Sequence, residues 1–286
     1  MKFAIFPAAA VLLMLSECLA SEMMSVWRND IRRQPVAGRP RIEARYVDAA
    51  RAGFDLDAEG YRMLVDLKSE QGQRVRSLLV NGPKNPAEML AGGGIYLQLT
   101  DGAGNVYSSL NSKEASRINI YRRGPYYIET HWLDVQLADA GGAAVPIKGE
   151  VVFYSYPEKT HIGVILHVTG PIEVKSACIR LETNADTCAS PTECKLEDGV
   201  RINDFVVLKR NDKEPALAAI YPVPKGVDDV TLEKAEAGVV VSNYVYSDEA
   251  HSGAVAKWNA GEKHSAFFEL FPLQTAEVGD DLEAEV

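Results

Sequence analysis

The sequence predicts an all-β protein, a large antiparallel β-sandwich with at most a few short helices. Short segments along most of the chain alternate apolar and polar side chains, the period of a half-buried strand. Clusters of Gly, Pro and Asn separate these segments at hairpin distances. No long run of helical period lies between them, so the crossover helices of a parallel βαβ sheet are missing.

The chain opens with an export pattern. Lys2 supplies a positive start, Phe3 to Leu15 is almost wholly apolar, and Cys18-Leu19-Ala20 ends in small residues where a signal peptidase reads. Residues 1–20 are therefore expected to be a signal peptide, cut before Ser21, and the mature chain to be secreted or periplasmic. The apolar run is shorter than the ~20 residues a spanning helix needs. No later segment reaches that length, so no stable membrane insertion is expected after cleavage. A lipoprotein reading of Cys18 places bulky, charged Glu17 where a small residue belongs.

Residues 21–60 read as a lead-in arm. Arg28, Arg32, Arg33, Arg39, Arg41, Arg45 and Arg51 gather there, broken by Pro35 and Pro40 and mixed with Asp30, Glu43 and Asp48. The arm is expected to pair with acidic surface; a specific anion site is the alternative. Residues 61–274 form the β-sandwich domain. Its expected strands are Tyr61–Leu67, Arg74–Val80, Ile95–Thr100, Val106–Leu110, Ile118–Arg122, Tyr126–Ala138, Lys148–Tyr156, His161–Val168, Val174–Leu181, Phe205–Lys209, Ala216–Tyr221, Val239–Tyr246, Gly253–Trp258 and Ser265–Phe271. Asp101-Gly102-Ala103-Gly104-Asn105 is the strongest turn signal, and Pro157-Glu158-Lys159 closes another hairpin. Asn85–Leu90 and Asp229–Ala237 are each read as a short helix. Residues 275–286 are an acidic tail, with five acids and no base from Glu277 onward.

Hydrophobic residues at 47% and charged residues at 24% exclude a disordered chain. The net charge of −10 survives signal removal, which takes one Lys and one Glu, and argues against a nucleic-acid partner, which needs a concentrated basic face. Three cysteines stay in the mature chain, and an oxidising compartment favours pairing. Cys188 and Cys194 flank the turn-prone Ala-Ser-Pro-Thr-Glu and are the expected disulfide; Cys178, on a strand, is the alternative partner for Cys188. The spacings match no close-set zinc ligands, and no metal or cofactor is expected. Phosphate-loop, His-Glu-x-x-His and Gly-x-Ser-x-Gly signatures are absent from the sequence.

The candidate site lies in two central stretches. Tyr127, Glu129 and His131 fall on one strand face, with Ile128, Thr130 and Trp132 on the other. In the second stretch His161, Gly163, Ile165 and His167 share a face. A carboxylate beside an imidazole can hold one tautomer or raise its basicity, as acid–base work on a sugar hydroxyl requires. Tyrosine rings pack against the C–H faces of sugars. Tyr127, Glu129 and His131 are thus candidate saccharide ligands, with His161 or His167 at the margin. The competing reading is the solvent side of an ordinary half-buried sheet. His161 and His167 are ~20 Å apart along a straight strand, too far to share one metal. Glu269 is a secondary candidate, because a carboxylate among Phe267 and Phe271 needs a partner if buried. Those two phenylalanines and Phe268 are read as packing residues, and Trp132 and Phe153 as core.

The run Asp101-Gly102 to Tyr107-Ser108-Ser109, followed by Arg123-Gly124-Pro125 opening a long strand, resembles the supersandwich domains related to galactose mutarotase. Ala260-Gly261-Glu262 is similar to the Pro-Gly-Glu turn that introduces their last strand, with Ala260 in place of the proline. The resemblance covers Tyr61 to Leu273 and implies a carbohydrate-related role. Such domains occur in secreted polysaccharide lyases and glycoside hydrolases, commonly as non-catalytic partners, and in sugar epimerases. The epimerases' catalytic His and Glu have no motif match here, so no catalytic residue is carried over.

Three function classes follow. The first is a secreted carbohydrate-recognition or accessory β-sandwich linked to polysaccharide processing, with an oligo- or polysaccharide as partner. The second is a polysaccharide lyase, glycoside hydrolase or sugar epimerase on the same fold, using Glu129, His131 and a tyrosine. The third is an envelope structural or interaction protein with no sugar ligand.

Overall fold

A computed structural model describes residues 42–80, 86–183, 190–195, 204–210, 213–221, 230–235, 238–247 and 255–273. The described residues are almost entirely strand. The signal segment, the acidic tail, Cys188 and His251 lie outside them.

Strands β1 (Ile42–Tyr46), β2 (Gly53–Ala58), β3 (Tyr61–Asp66) and β4 (Arg74–Val80) run as successive antiparallel hairpins. The sheet therefore takes in Ile42–Ala58, which the sequence reading gave to the lead-in arm. Ile42, Ala44, Phe54 and Leu56 supply the reason, since their alternation buries an apolar row. After β5 (Ala87–Glu88), strand β6 (Leu90–Asp101) joins β4 at Val75 and Ile95. Next come β7 (Val106–Ser108), a single 3₁₀ turn at Ser109–Asn111, β8 (Arg117–Arg123), β9 (Ile128–Ala138), β10 (Ala144–Ser155) and β11 (Thr160–Val168). The remaining strands are β12 (Ile172–Thr183), β13 (Ser190–Lys195), β14 (Asp204–Arg210), β15 (Lys213–Tyr221), β16 (Val230–Ala235), β17 (Gly238–Ser247), β18 (Ala256–Trp258) and β19 (Lys263–Leu273).

Their pairings make two antiparallel ladders. One runs β1-β2-β3-β4-β6-β12-β17-β16, and the other runs β8-β9-β10-β11-β19-β15-β14-β13. Strand β7 pairs with β6 and, at Ser108 and Ala138, with β9, so the ladders form one continuous sheet folded on itself. The apolar faces meet in a core that includes Phe54, Leu56, Leu97 and Ile179 from one ladder and Trp132, Phe153, Ile162 and Phe268 from the other. Burying each such side chain stabilises the fold by about 1.5–3 kcal/mol. Trp132 and Phe153 are core, as their alternation predicted.

Both expected helices are replaced by strands where the chain is described. Ala87–Glu88 pairs with Leu79–Val80, and the Glu88 carboxylate accepts from the backbone N–H groups of Leu78 and Leu90, each at 2.9 Å. Val230–Ala235 pairs antiparallel with β17, with Ala235 opposite Gly238. Cross-strand pairing overrides the helix preference of Leu-Glu-Lys-Ala. Ser190–Lys195, read as part of a turn-prone loop, is strand β13 paired with β14.

Two irregularities shape the outer face of the second ladder. Opposite Glu129 the register of β8 skips from Ile120 to Arg122, leaving Tyr121 as an extra residue. Such a bulge places two neighbouring side chains toward one position of the partner strand. In β9, Leu133 and Asp134 stand against Glu150 alone, with Asp134 at φ 62°. The alternation changes phase there, so that Trp132 and Val135 both point to the core. Beside Glu150, an added Cβ on Gly149 would come within 2.5 Å of Leu97 Cδ1 in the facing ladder. A side chain has no room there.

Candidate functional site

Five strands, β8-β9-β10-β11-β19, carry the candidate residues on the face turned away from the core. Register explains the gathering. Tyr154 stands opposite Glu129 on one side and His161 on the other, Val152 opposite His131 and Gly163, and His161 opposite Glu269. Residues far apart in sequence become neighbours across the ladder.

Five side chains form a chain of hydrogen bonds. His131 Nδ1 lies 2.8 Å from Glu150 Oε1, and its Nε2 lies 3.1 Å from Glu129 Oε1. The other Glu150 oxygen is 2.9 Å from His167 Nε2. Glu129 Oε2 accepts from the Tyr127 hydroxyl at 3.1 Å and faces Arg122 Nε at 3.3 Å. Tyr121 lays its ring against His131, with centroids 4.2 Å apart, and stays 58% exposed. His131 thus bridges two acids, one at each ring nitrogen.

The electrostatics follow from this packing. Burial works to raise the Glu150 carboxyl, but the hydrogen bonds from His131 and His167, and then their charge, outweigh it and hold it below the usual carboxylate range. Burial pushes the Tyr127 phenol strongly up, and the charge and hydrogen bond of Glu129 push the same way. Tyr154 is raised too, by burial first and then by Glu129 and Glu150. Both phenols stay protonated, and Tyr127 donates to Glu129.

A second cluster sits at the β11–β19 side of the same face. His161 Nδ1 lies 2.6 Å from Glu269 Oε1, close enough for an ion pair though not aligned as a hydrogen bond. Phe267 stacks on the His161 ring at 5.8 Å and Tyr156 meets it edge-on at 5.5 Å. Tyr156 also contacts Tyr127 at 5.2 Å, which links the two clusters.

The structure thus brings Tyr127, Glu129, His131 and His167 into one network and pairs His161 with Glu269. His167 is a full member of the network and not a margin residue. Phe267, expected to be packing, stands on the site face, whereas Phe268 is core. His264 is on the opposite side of β19, stacked on Trp258 at 3.7 Å. Sequence reasoning passed over Glu150, the acid that joins both histidines. Its signal was available: the hairpin closed by Pro157-Glu158-Lys159 sets Ser155 against Thr160, which puts Glu150 diagonally beside His167. Arg122 and Tyr121 gave no such signal, because the bulge that aims them is invisible in an alternation pattern. Among the described residues no group of His, Cys, Asp or Glu is arranged to hold a metal ion.

A doubled antiparallel sheet of this size, with a polar and aromatic outer face, is a supersandwich. No family model and no curated protein matches the sequence. Solved structures do match. A provisionally assigned aldose 1-epimerase from Klebsiella pneumoniae aligns at a TM-score of 0.52 over 82% of this chain and 83% of that one, with 8% identity. A galactose mutarotase related enzyme from Lactobacillus acidophilus aligns at 0.47, covering 79% and 98%, with 10% identity. An α-galactosidase from Geobacillus stearothermophilus aligns at 0.48, covering 82% of this chain and 41% of that one, with 8% identity. The first alignment shows that this chain shares the fold of that structure, in keeping with the supersandwich that its turn motifs resemble.

Proposed function

We propose that the outer face of β8-β9-β10-β11-β19 binds saccharide, and that the protein is an exported carbohydrate-recognition or accessory module of polysaccharide processing. The observation that carries this reading is the Glu129–His131–Glu150–His167 network beside the exposed Tyr121 ring. The network holds its carboxylates in place with lone pairs left to accept from sugar hydroxyls, and an aromatic ring packs on the apolar side of a pyranose. Binding to a panel of immobilised plant and bacterial polysaccharides tests it. His131→Ala cuts the network at its centre and is expected to lower affinity at least ~tenfold, the effect of losing one charge-assisted hydrogen bond. Tyr127→Phe keeps the ring, removes only the hydroxyl given to Glu129, and should weaken binding less. Unchanged affinity in both variants overturns the reading.

Export rests on the Met1–Ala20 pattern, and secreted protein is expected to begin at Ser21 on N-terminal sequencing. An intact Met1 form held in the cytoplasm would refute it.

The 2.6 Å approach of His161 to Glu269 favours a second reading, acid–base chemistry on the bound sugar. Saccharide turnover that disappears in Glu269→Gln while binding persists would establish it.

A further inference from the structure

We infer that the ligand of this face is an oligosaccharide of two or more rings lying across the strands, not a single sugar lying along β9. The inference rests on the saccharide reading and names its substrate class.

The face holds two clusters, each with its own pairing of carboxylate, imidazole and ring. One joins Tyr121 to His131, Glu150 and His167; the other joins Phe267 and Tyr156 to His161 and Glu269. Gly163 stands opposite Val152, and Val152 opposite His131, so His131 and His161 are two strands apart and offset by two residues. That places their backbones ~10 Å apart across the sheet and ~7 Å along it. From Tyr121 on β8 to Phe267 on β19 is four strand spacings, or ~19 Å. A pyranose is a six-membered ring of about the size of the tyrosine ring it stacks on. One such ring covers one cluster and does not reach the other.

Between the clusters lie Tyr154, Gly163 and the buried Val152. Gly163 presents bare backbone there, and an added Cβ would meet Val152 Cβ only at 4.0 Å. Tyr154, half-buried between Glu129 and His161, floors the path from one cluster to the other. Tyr121, re-aimed by the β8 bulge, stands at the far end with most of its ring exposed. A chain crossing from β8 to β19 would meet in turn the Tyr121 ring, the network, Tyr154, and the Phe267 and Glu269 rim of the second cluster, in which His161 itself is buried.

Calorimetric titration with glucose, galactose, and the maltose, cellobiose and β-1,4-galactobiose series up to six rings tests the inference. At least one series is expected to gain ~tenfold or more in affinity between one ring and four, or about 1.4 kcal/mol. In Tyr121→Ala, whose side chain is outside the core, the ratio of four-ring to one-ring affinity should fall to ~twofold or less at an unchanged melting temperature. Phe267→Ala should compress the same ratio from the other end. A monosaccharide that binds as tightly as its tetramer, or a length gain that survives both variants, overturns the inference and leaves saccharide binding standing. No binding in any series overturns both.

Discussion

Two outer faces of this sheet use the same acids to different ends. On β1–β4, Asp55 accepts from Arg62 Nε at 2.8 Å and Nη2 at 2.7 Å, and also meets Arg45 at 3.2 Å. Asp66 lies 3.3 Å from Arg74 and 3.2 Å from Arg76. On β8-β9-β10-β11-β19 the acids meet imidazoles and phenols, with one guanidinium, Arg122, beside Glu129 and aromatic rings interleaved. A guanidinium is permanently charged and locks a carboxylate in place. Histidine as a residue type changes charge near neutral pH, and its ring donates or accepts according to tautomer. The first face is what an ordinary solvated sheet looks like in this protein. The second departs from it in the direction a ligand requires, and the contrast weighs against reading it as plain surface.

The comparison can be broken at three points. The largest effect is expected at Gly163. Its backbone is not in the left-handed region and its Cβ position is open, so Gly163→Leu plants a side chain on the site face without strain. Glycan affinity should drop at least ~tenfold. Stability should hold or rise by about 0.5–1 kcal/mol, since glycine weakens a strand interior. If Gly163→Leu binds normally, the ligand does not cross this face.

Asp55→Asn probes the other face. Asp55 is only 2% exposed, while Arg62 and Arg45 reach solvent. Burial works to raise its carboxyl, and the hydrogen bonds and charges of Arg62 and Arg45 together hold it below the usual range. Denaturant unfolding is expected to show a loss of about 1–3 kcal/mol, with glycan affinity unmoved. A binding defect in Asp55→Asn would erase the distinction between the faces.

The smallest effect concerns acid. Glu150 is depressed in the folded state, so its contribution to stability is present above its unfolded value near 4.5 and is lost as pH falls through the lower folded value. Wild type should therefore exceed Glu150→Gln in stability at pH 6, with the gap closing below pH ~4.5. A gap that stays constant down to pH ~3 would mean that His131 and His167 do not hold Glu150 ionised.

Much of this was legible before any tertiary information. Hairpins such as Lys148–Tyr156 with His161–Val168 were readable because a short turn sets the register of both strands, and register sets the face. Tyr127, Glu129 and His131 were placed on one side for the same reason. The pairing of His161 with Glu269 was not readable. β11 and β19 are neighbours only because a long connection returns the chain to the same sheet, and no local pattern encodes that. The two short helices failed on the same ground: Ala87–Glu88 and Val230–Ala235 take their conformation from partner strands.

By itself the sequence determined the all-β class, most strand positions, the polar and apolar sides of the central strands, and the turn motifs that resemble a supersandwich. These are properties of neighbouring residues, set by the two-residue period of the strand and by the backbone freedom of Gly and Asn. Only the tertiary structure decided which strands lie side by side, where the bulges at Tyr121 and Asp134 re-aim the chain, and that Glu150 joins two histidines from different strands. Strand order and bulge position depend on contacts between residues far apart in the chain, and such contacts are settled by packing the whole sheet at once.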